Sequence, residues 1–333
     1  MADIAERAGV HQTTVSLALR KSPRLSAATR ERIQALAREM GYRKDPYVTA
    51  LMARVHTGRR REEAPVLAVL DTVGGNVLSE PSFAEILRGF RARAEELGYV
   101  MDTIPCAGQP NAIRDVRRHL RGRGIQTAFL PASPGALGMA EKLSETALVS
   151  ITGSAFRHRI HTTGPDHFHN ARIIASRLIS RDLSRFVVLV PEGWKAPPLY
   201  EWLGGLYAEL QTALDEGRIR RILPPRLVRA PMGDPAALAR LLGRSKTLPE
   251  AIIGYPGTFR ETLIEAGFSV PDEILFLDPA LFPEEKGVPG INPRRFEVGQ
   301  AAADILTAQL HRHEFGMPPL PRTVLLEGEW IDA

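Results

Sequence analysis

The spacing of hydrophobic positions changes near Pro65. Before it, apolar residues recur at intervals of three and four, as they do along the buried faces of short helices. After it, short continuous apolar runs alternate with segments of helical period, which is the pattern of parallel strands connected by helices. The chain is therefore predicted to consist of a small helical segment followed by a larger α/β segment.

The first part of the helical segment predicts two short helices joined by a tight turn. Ile4, Ala5 and Ala8 lie on one face of a helix that ends at Gly9, and His11–Leu19 has the pattern of a second helix. Two short helices connected by a glycine-containing turn are typical of a helix-turn-helix. The small residues let the helices cross closely.

A third helix is expected after Ser26, which is a suitable N-cap. Ile33, Leu36, Ala37 and Met40 then recur at helical spacing and form one apolar stripe, and Gly41 can end the helix. The three helices would share a small core.

The outer face of the second predicted helix carries side chains that can reach DNA base edges and phosphates. These are Gln12, Thr13, Ser16 and Arg20. Residues 1–62 contain 13 Lys and Arg against 6 Asp and Glu, whereas the remaining residues contain 30 against 32. All of the excess positive charge therefore lies in this segment, as a polyanion-binding domain requires. The alternatives are a solvated basic face and a helical bundle that contacts protein.

A short helix is also predicted just after the three-helix segment. Asp45 can cap it, Pro46 suits its first turn, and Val48, Leu51 and Met52 supply apolar side chains without an evident neighbour. Such a helix is too short to be stable alone, so it would form on a partner. The alternative is an ordinary linker. The expected domains are a helix-turn-helix at 1–44, a hinge helix and linker at 45–62, and a second domain at 63–333.

The second domain is predicted to contain two similar halves. Strands are expected at 66–70, 99–104, 127–130 and 148–151 in the first half, and at 186–190, 227–230, 251–254 and 274–277 in the second. Helical segments separate them, and Arg295 to His311 is expected to be the last helix, packing on the first half. This alternation predicts doubly wound parallel sheets, with a ligand cleft beyond the carboxyl ends of the strands.

Several ordered motifs make the N-terminal pattern specific. They are Asp3-Ile4-Ala5-Glu6-Arg7-Ala8-Gly9-Val10, Thr14-Val15-Ser16, Ser26-x-x-Thr29-Arg30, Gly41-Tyr42-Arg43 and a hinge that ends in Leu51. At these spacings the chain resembles the LacI/GalR family of bacterial transcription regulators. The resemblance implies an all-α helix-turn-helix headpiece followed by a two-lobed α/β domain like the periplasmic binding proteins.

The resemblance also implies how DNA is bound. Two second helices of a dimer would read half-sites in successive major grooves, and paired hinge helices would enter the minor groove with Leu51 as an apolar wedge. Three positions depart from the family: Leu17 replaces a common Arg, Arg20 a common Asn, and Val48 a common Ala. The residues expected to contact DNA are His11, Gln12, Thr13, Thr14, Ser16, Arg20, Thr29, Arg30, Tyr42, Asp45, Val48 and Leu51.

In the two-lobed domain the resemblance implies three crossings between lobes, expected near 163, 291 and 321. Lobe 1 would then comprise about 65–163 and 291–321, and lobe 2 about 164–290 and 322–333. Residues at strand ends would line the effector cleft, where aromatic faces and a few polar groups hold ligands such as sugars. The candidates are Asp71, Phe83, Ser133, Asp166, Trp194, Trp202, Tyr255 and Asp278.

These effector candidates match the family only in part. Asp166 and Asp278 match, but Trp202 stands where the family often has Arg, and Tyr255-Pro256 stands where it often has Asn-Asp. Phe83 equally fits a core position. The departures favour a larger, more apolar or aromatic ligand, or no small effector, over a simple pentose or hexose.

Metal and cofactor chemistry is not expected. His158, His161, His167 and His169 are close in sequence but fall in a predicted crossing, where their side chains would diverge. Cys106, the single cysteine, is interpreted as a packing residue in a reducing compartment. No nucleotide-binding or hydrolase motif is present. We therefore expect no cofactor, no metal and no enzyme activity.

Together these patterns predict a cytoplasmic, nucleoid-associated transcriptional regulator, expected to be a repressor. Its predicted partners are a pseudo-palindromic double-stranded DNA operator, a small-molecule effector that could be carbohydrate-like, and a second copy of the chain, with no membrane. A homodimer is expected because the chain lacks a terminal heptad repeat. The alternatives are a two-lobed α/β solute-binding protein and a cryptic hydrolase, each with an incidental basic head.

Overall fold

The computed structural model of the chain forms two compact units, Met1–Glu62 and Glu63–Ala333. It describes residues 2–19, 25–40, 64–72, 81–106, 112–130, 136–151, 159–194, 197–243, 247–282 and 287–332. No helix within these ranges is long and apolar enough to cross a membrane.

The described residues of the first unit form the helices α1 (Ala2–Ala8), α2 (Gln12–Leu19) and α3 (Ala27–Glu39). Gly9 turns the chain between α1 and α2 at a φ of +65°, a conformation that glycine adopts without strain. The amide of Val10 donates to the carbonyl of Ala5 at 3.0 Å and closes the end of α1. The predicted helix-turn-helix is therefore present.

The core of this unit is small and tightly packed. Ile4, Val15 and Ile33 are almost fully buried, and the small residues between them let the helices approach closely. Two side chains of α3 cap the carboxyl ends of the other two helices. Gln34 donates to the carbonyl of Ala18 at 2.8 Å, and Arg32 donates to the carbonyl of Ala8 at 3.2 Å. The predicted N-cap of α3 is confirmed, since the amide of Thr29 donates to the Ser26 hydroxyl.

The second unit begins with a six-stranded parallel sheet, and we call this sheet with its helices the first lobe. Its strands are β1 (Val66–Asp71), β2 (Val100–Pro105), β3 (Thr127–Leu130), β4 (Ala147–Ile151), β5 (His161–Pro165) and, late in the chain, β11 (Thr323–Leu326), in the order β11-β5-β4-β3-β1-β2. Its helices are α4 (Pro81–Glu96), α5 (Ala112–Arg123), α6 (Ala136–Ala140) and α11 (Arg295–Arg312).

The apolar run of β1 shows why the first sheet is covered on both faces. Leu67 and Val69 pack towards α4 and α11, whereas Ala68 and Leu70 pack towards α5. Successive side chains of a strand point to opposite faces, so a strand between two helical layers must be apolar throughout.

In the second lobe the described residues form a four-stranded parallel sheet and the helices that cover it. The strands are β6 (Phe186–Pro191), β7 (Arg226–Ala230), β8 (Ala251–Gly254) and β9 (Leu275–Leu277), in the order β7-β6-β8-β9. The helices are α7 (His167–Ile179), α8 (Pro197–Asp215), α9 (Pro235–Gly243) and α10 (Phe259–Glu265). An antiparallel pair, β10 (Gly290–Asn292) and β12 (Glu329–Ile331), forms a third small sheet. The predicted two-lobed, doubly wound fold is confirmed.

Two parts of the prediction were wrong. The segment around His161, expected to be a crossing, forms β5, which pairs with β4 and is buried along its length. Residues 323–326, assigned to lobe 2, form β11, which pairs with β5 in the first lobe. The third crossing therefore follows Leu326 rather than lying near 321. The sequence did not predict either strand. β5 is largely polar, and β11 is an edge strand whose side chains are mostly exposed.

Candidate DNA-binding and ligand-binding sites

The predicted base-reading residues are at and near the start of α2. His11, Gln12 and Thr13 are exposed, whereas Thr14 and Ser16 are half-buried. Nδ1 of His11 lies 2.9 Å from the Thr13 hydroxyl and accepts a longer hydrogen bond from the Thr13 amide, so His11 caps the helix. Gln12 therefore has the most freedom to reach outward.

The remaining predicted DNA contacts divide into two groups. Thr29 and Arg30 lie in the first turn of α3 and are half-buried. The positive charge of Arg30 and the first-turn amides of α3 are groups that suit a phosphate. Arg20, Tyr42, Asp45, Val48 and Leu51 lie outside the described residues.

Three of the predicted effector residues form an aromatic cluster in the second lobe, which we define as Trp194, Trp202 and Tyr255. Their ring centroids lie 5.4 to 5.6 Å apart, within the usual range for aromatic pairs. Trp194 follows β6, Tyr255 follows β8 and Trp202 lies on α8, so the cluster sits at the carboxyl edge of the second sheet. Trp202 is almost fully buried, and the other two are half-buried.

His167, the first residue of α7, packs edge-on against Trp202. Nε1 of Trp202 donates to Nδ1 of His167 at 3.2 Å, so the neutral ring carries its proton on Nε2. Burial lowers the pKa of His167 to about 4, and the positive charge of Arg295 acts in the same direction. His167 is therefore a neutral polar group that holds the orientation of Trp202 at neutral pH.

Arg295 begins α11 and joins the two lobes. Its guanidinium donates to the carbonyls of Leu281 at 2.7 Å and Ala280 at 2.8 Å, and it lies 4.2 Å from the centre of the Phe282 ring. A helix of the first lobe is thus attached to the segment that follows the second sheet. The positive charge of Arg295 also contributes, after burial, to the lowered pKa of His167.

The two aspartates that match the family have backbone partners. Asp166 is the N-cap of α7 and accepts from the amide of His169 at 2.8 Å. Asp278 is buried and accepts from the amide of Ala280 at 2.6 Å. Both carboxylates therefore fix the conformation of the chain next to the aromatic cluster.

The remaining effector candidates belong to the first lobe. Asp71 is buried at the end of β1, and its carbonyl accepts from the amide and the thiol of Cys106. Phe83 stacks on Phe129 at 6.0 Å against the core, in agreement with the core alternative. Ser133 lies outside the described residues. The structure therefore brings together the aromatic candidates of the second lobe and places Asp71 and Phe83 in the first lobe, apart from that cluster.

The predicted histidine group diverges. His161 is buried, and its Nδ1 accepts from the amide of Arg322 at 3.0 Å, whereas His167 faces Trp202 and His169 lies 3.9 Å from Glu327. His158 is outside the described ranges. Within those ranges, no three His, Cys, Asp or Glu side chains converge as a metal site would require.

His167 and Arg295 are the residues that sequence reasoning did not identify as part of a site. His167 directly follows an aspartate that was expected at the cleft, which was a usable signal for its position. Arg295 gave no such signal, because its partners are carbonyl groups more than ten residues away in sequence.

Known proteins match both the N-terminal segment of this chain and longer stretches of it. The family described as "Bacterial regulatory proteins, lacI family" matches residues 1–45. The HTH-type transcriptional repressor CytR of Escherichia coli strain K12 is 35% identical over 109 residues, which cover 33% of this chain and 28% of CytR. The maltose regulon regulatory protein MalI of the same strain is 22% identical over 214 residues, covering 63% of this chain and 55% of MalI. The alignments thus span only part of these relatives.

Solved structures match the fold over nearly the whole chain. The Lac repressor dimer bound to operator and the anti-inducer ONPF gives a TM-score of 0.61 at 16% identity, covering 99% of this chain and 96% of that one. The complex of the transcriptional regulator CelR with cellobiose gives 0.59 at 17% identity, covering 99% and 97%. Residues 1–45 therefore match the lacI family of bacterial regulatory proteins, the whole chain has a LacI-type fold, and its resemblance to the LacI/GalR family is confirmed.

Proposed function

We propose that this protein is a sequence-specific DNA-binding transcriptional regulator, acting as a repressor, whose operator affinity is controlled by a small molecule. The observation that carries the proposal is the combination, in one chain, of a lacI-family helix-turn-helix and a two-lobed domain that matches effector-binding repressors in fold. The proposed activity is binding without catalysis, in the cytoplasm and on the nucleoid.

DNA recognition is assigned to α2. In the proposal, Gln12 and Ser16 contact base edges in the major groove, because both can donate and accept hydrogen bonds and Gln12 is exposed. Arg30 contacts phosphate and fixes the position of the helix without reading sequence. His11 and Thr13 hold the first turn of α2 in the conformation that presents Gln12.

A pseudo-palindromic operator and a homodimer follow from the same proposal. Two copies related by a two-fold axis would place their α2 helices in successive major grooves. Tyr42, Asp45 and Val48 would approach the backbone, and Leu51 would wedge into a central base step in the minor groove.

The effector site is assigned to the cleft edge that carries the aromatic cluster. The half-buried rings of Trp194 and Tyr255, supported by the buried Trp202, offer stacking surface but no charge, which suits a ligand with a flat apolar or aromatic face. The ligand would control DNA binding through its different affinities for two arrangements of the lobes, because only differential affinity shifts such an equilibrium. Arg295, which joins the lobes at the crossing, is placed to take part in that change.

The decisive experiment is selection of duplexes from a random oligonucleotide pool by the full-length protein, followed by affinity measurements on the selected site. We expect a two-fold-symmetric consensus. Gln12→Ala should weaken the selected site about tenfold or more while changing binding to random duplex less than about twofold. Gln211→Ala, which removes an exposed glutamine from α8, is the matched control and should change neither.

The proposal fails if no duplex is enriched, or if Gln12→Ala weakens selected and random duplexes equally. The effector part is tested separately, by titrating aromatic and carbohydrate compounds while tryptophan fluorescence and DNA affinity are recorded. A compound that quenches fluorescence in the wild type and not in Tyr255→Ala, and that also shifts operator affinity, supports the assignment. A library in which no compound does both contradicts the effector part alone.

A further inference from the structure

A cavity of about 320 Å³ lies in the first lobe, outside the effector cleft. Its walls are formed by α5 and by the segments that lead into β3 and β4. Parallel strands begin at one edge of a sheet and end at the other, so the cavity lies at the amino edge, opposite the carboxyl edge where the cleft is expected. Its size is at the lower end of the range for small-molecule sites.

The cavity carries an excess of positive charge. Arg117, Arg121 and Lys142 line it, with Glu145 as the acidic group. Arg121 and Glu145 form an ion pair at 3.0 Å and largely neutralise each other. Arg117 and Lys142 form no ion pair with the described residues, so two cations remain for an anion from solution.

Arg117 and Arg121 lie four residues apart on α5, a spacing that places them on one face of the helix. Other cations of the same helix are neutralised outside the cavity: Arg118 pairs with Asp115 at 2.9 Å, and Arg123 pairs with Asp102. The unpaired positive charge at Arg117 is therefore directed to the cavity, while Arg114 is an exposed cation of the same helix that does not line it.

The remaining lining combines apolar side chains with polar groups. Leu120, Ile125 and Leu143 are buried and form an apolar wall, while Gln126 and Ser144 add an amide and a hydroxyl. A ligand that fits this lining has a negatively charged group at one end and a compact apolar part at the other. A phosphate monoester meets both requirements, since lysine and arginine bind phosphate well.

We propose that this cavity is a second ligand site of the protein, which binds a small phosphorylated molecule with an apolar portion. Arg117 and Lys142 hold the phosphate, and the apolar part lies against Leu120, Ile125 and Leu143. The concave shape favours a small molecule over the backbone of duplex DNA, which needs an open, extended surface. The site does not depend on the proposed DNA-binding function, because all of the described residues that line it belong to the second unit.

The test is calorimetric titration of the full-length protein with phenyl phosphate, inorganic phosphate and phenol. Phenyl phosphate should bind with saturation, more tightly than inorganic phosphate, while phenol should not bind measurably. The double variant Arg117→Ala, Lys142→Ala should weaken phenyl phosphate binding about tenfold or more, the expected effect of losing one or two charge-assisted hydrogen bonds. Arg114→Ala removes one positive charge from the same helix and should change the affinity less than about twofold.

The proposal is overturned if there is no saturable binding at millimolar concentration, if binding is unchanged in the double variant, or if Arg114→Ala weakens binding equally. Operator affinity, measured in parallel, should be the same in the double variant and in the wild type. A loss there as large as the loss of phenyl phosphate binding would assign the cations to DNA and overturn the small-molecule site. Circular dichroism of each variant verifies that these surface substitutions leave the fold intact.

Discussion

The indole nitrogen of Trp202 donates a hydrogen bond to Nδ1 of His167 across 3.2 Å. This bond joins the first turn of α7 to α8 and fixes the imidazole as the neutral tautomer with its proton on Nε2. A second proton on His167 would remove the acceptor and place a buried positive charge near Arg295. The aromatic cluster therefore depends on His167 staying neutral.

Acid should destabilise the second unit through His167. Its pKa is about 4 in the folded protein, against an ordinary value of 6.5, so the unfolded chain takes up this proton first as the pH falls. The effect of His167 on the free energy of unfolding is absent above about pH 6.5 and grows to a loss of about 3 kcal/mol near pH 4. Urea denaturation at a series of pH values measures it.

His167→Asn is the matched control for the acid effect. The asparagine oxygen can accept the Trp202 hydrogen bond in place of Nδ1, but the side chain does not titrate. The stability difference between wild type and variant should therefore change by about 3 kcal/mol between neutral pH and pH 4. A difference that is independent of pH would show that His167 does not carry the effect.

Gly299→Ala should strongly destabilise the first lobe. A Cβ at Gly299 would overlap the carbonyl of Ile86 and lie 2.6 Å from the amide of Phe90, so α4 and α11 would have to separate. We expect a loss of about 3 kcal/mol or more in the free energy of unfolding, measured by urea titration.

Gly122→Ala is the control for this substitution. Gly122 is a helical residue of α5 where an added Cβ meets nothing within 4 Å. It should stabilise the protein by about 0.5 kcal/mol, because alanine is the better helix former. Similar effects of the two substitutions would contradict the close approach of α4 and α11.

Cys106 should be inert in the native protein. It is 4% exposed, its thiol donates to the Asp71 carbonyl at 3.1 Å, and burial together with the charge of Asp71 raises its pKa to about 12. Since the thiolate is the reactive form, Ellman's reagent near neutral pH should modify the thiol only at the rate of unfolding. The urea-unfolded chain, in which the single cysteine reacts at once, is the control. Fast reaction without denaturant would refute this expectation.

Gln34→Ala should loosen α2 within the first unit. The substitution removes the 2.8 Å hydrogen bond to the Ala18 carbonyl near the end of α2, and this carbonyl loses its capping partner. We expect a cost of about 1 kcal/mol in the free energy of unfolding. Hydrogen exchange of the α2 amides should become faster by about fivefold. Glu31→Ala, an exposed substitution on the same helix, should leave the exchange rates unchanged. Equal rates in all three proteins would count against this capping role.

The sequence by itself determined the type and order of most elements. The helical spacing of Ile4, Ala5 and Ala8, and the apolar run of Val66–Leu70, each report which faces of a segment are buried. That information is local, so it was sufficient for the helix-turn-helix and for the alternating strands and helices. The exposed position of Gln12, which we propose to face DNA, follows from the same helical geometry.

Tertiary structure alone decided which distant groups meet. The polar strand His161–Pro165 is buried because β4 and β11 satisfy its backbone on both sides, and no local pattern encodes those partners. Trp202 and His167 are 35 residues apart in sequence, as are Trp194 and Arg229, whose guanidinium donates to the Trp194 carbonyl. Periodicity records burial but not the identity of the neighbour, so the contacts within the aromatic cluster, the carbonyl partners of Arg295 and the cationic cavity emerge only once the chain is packed.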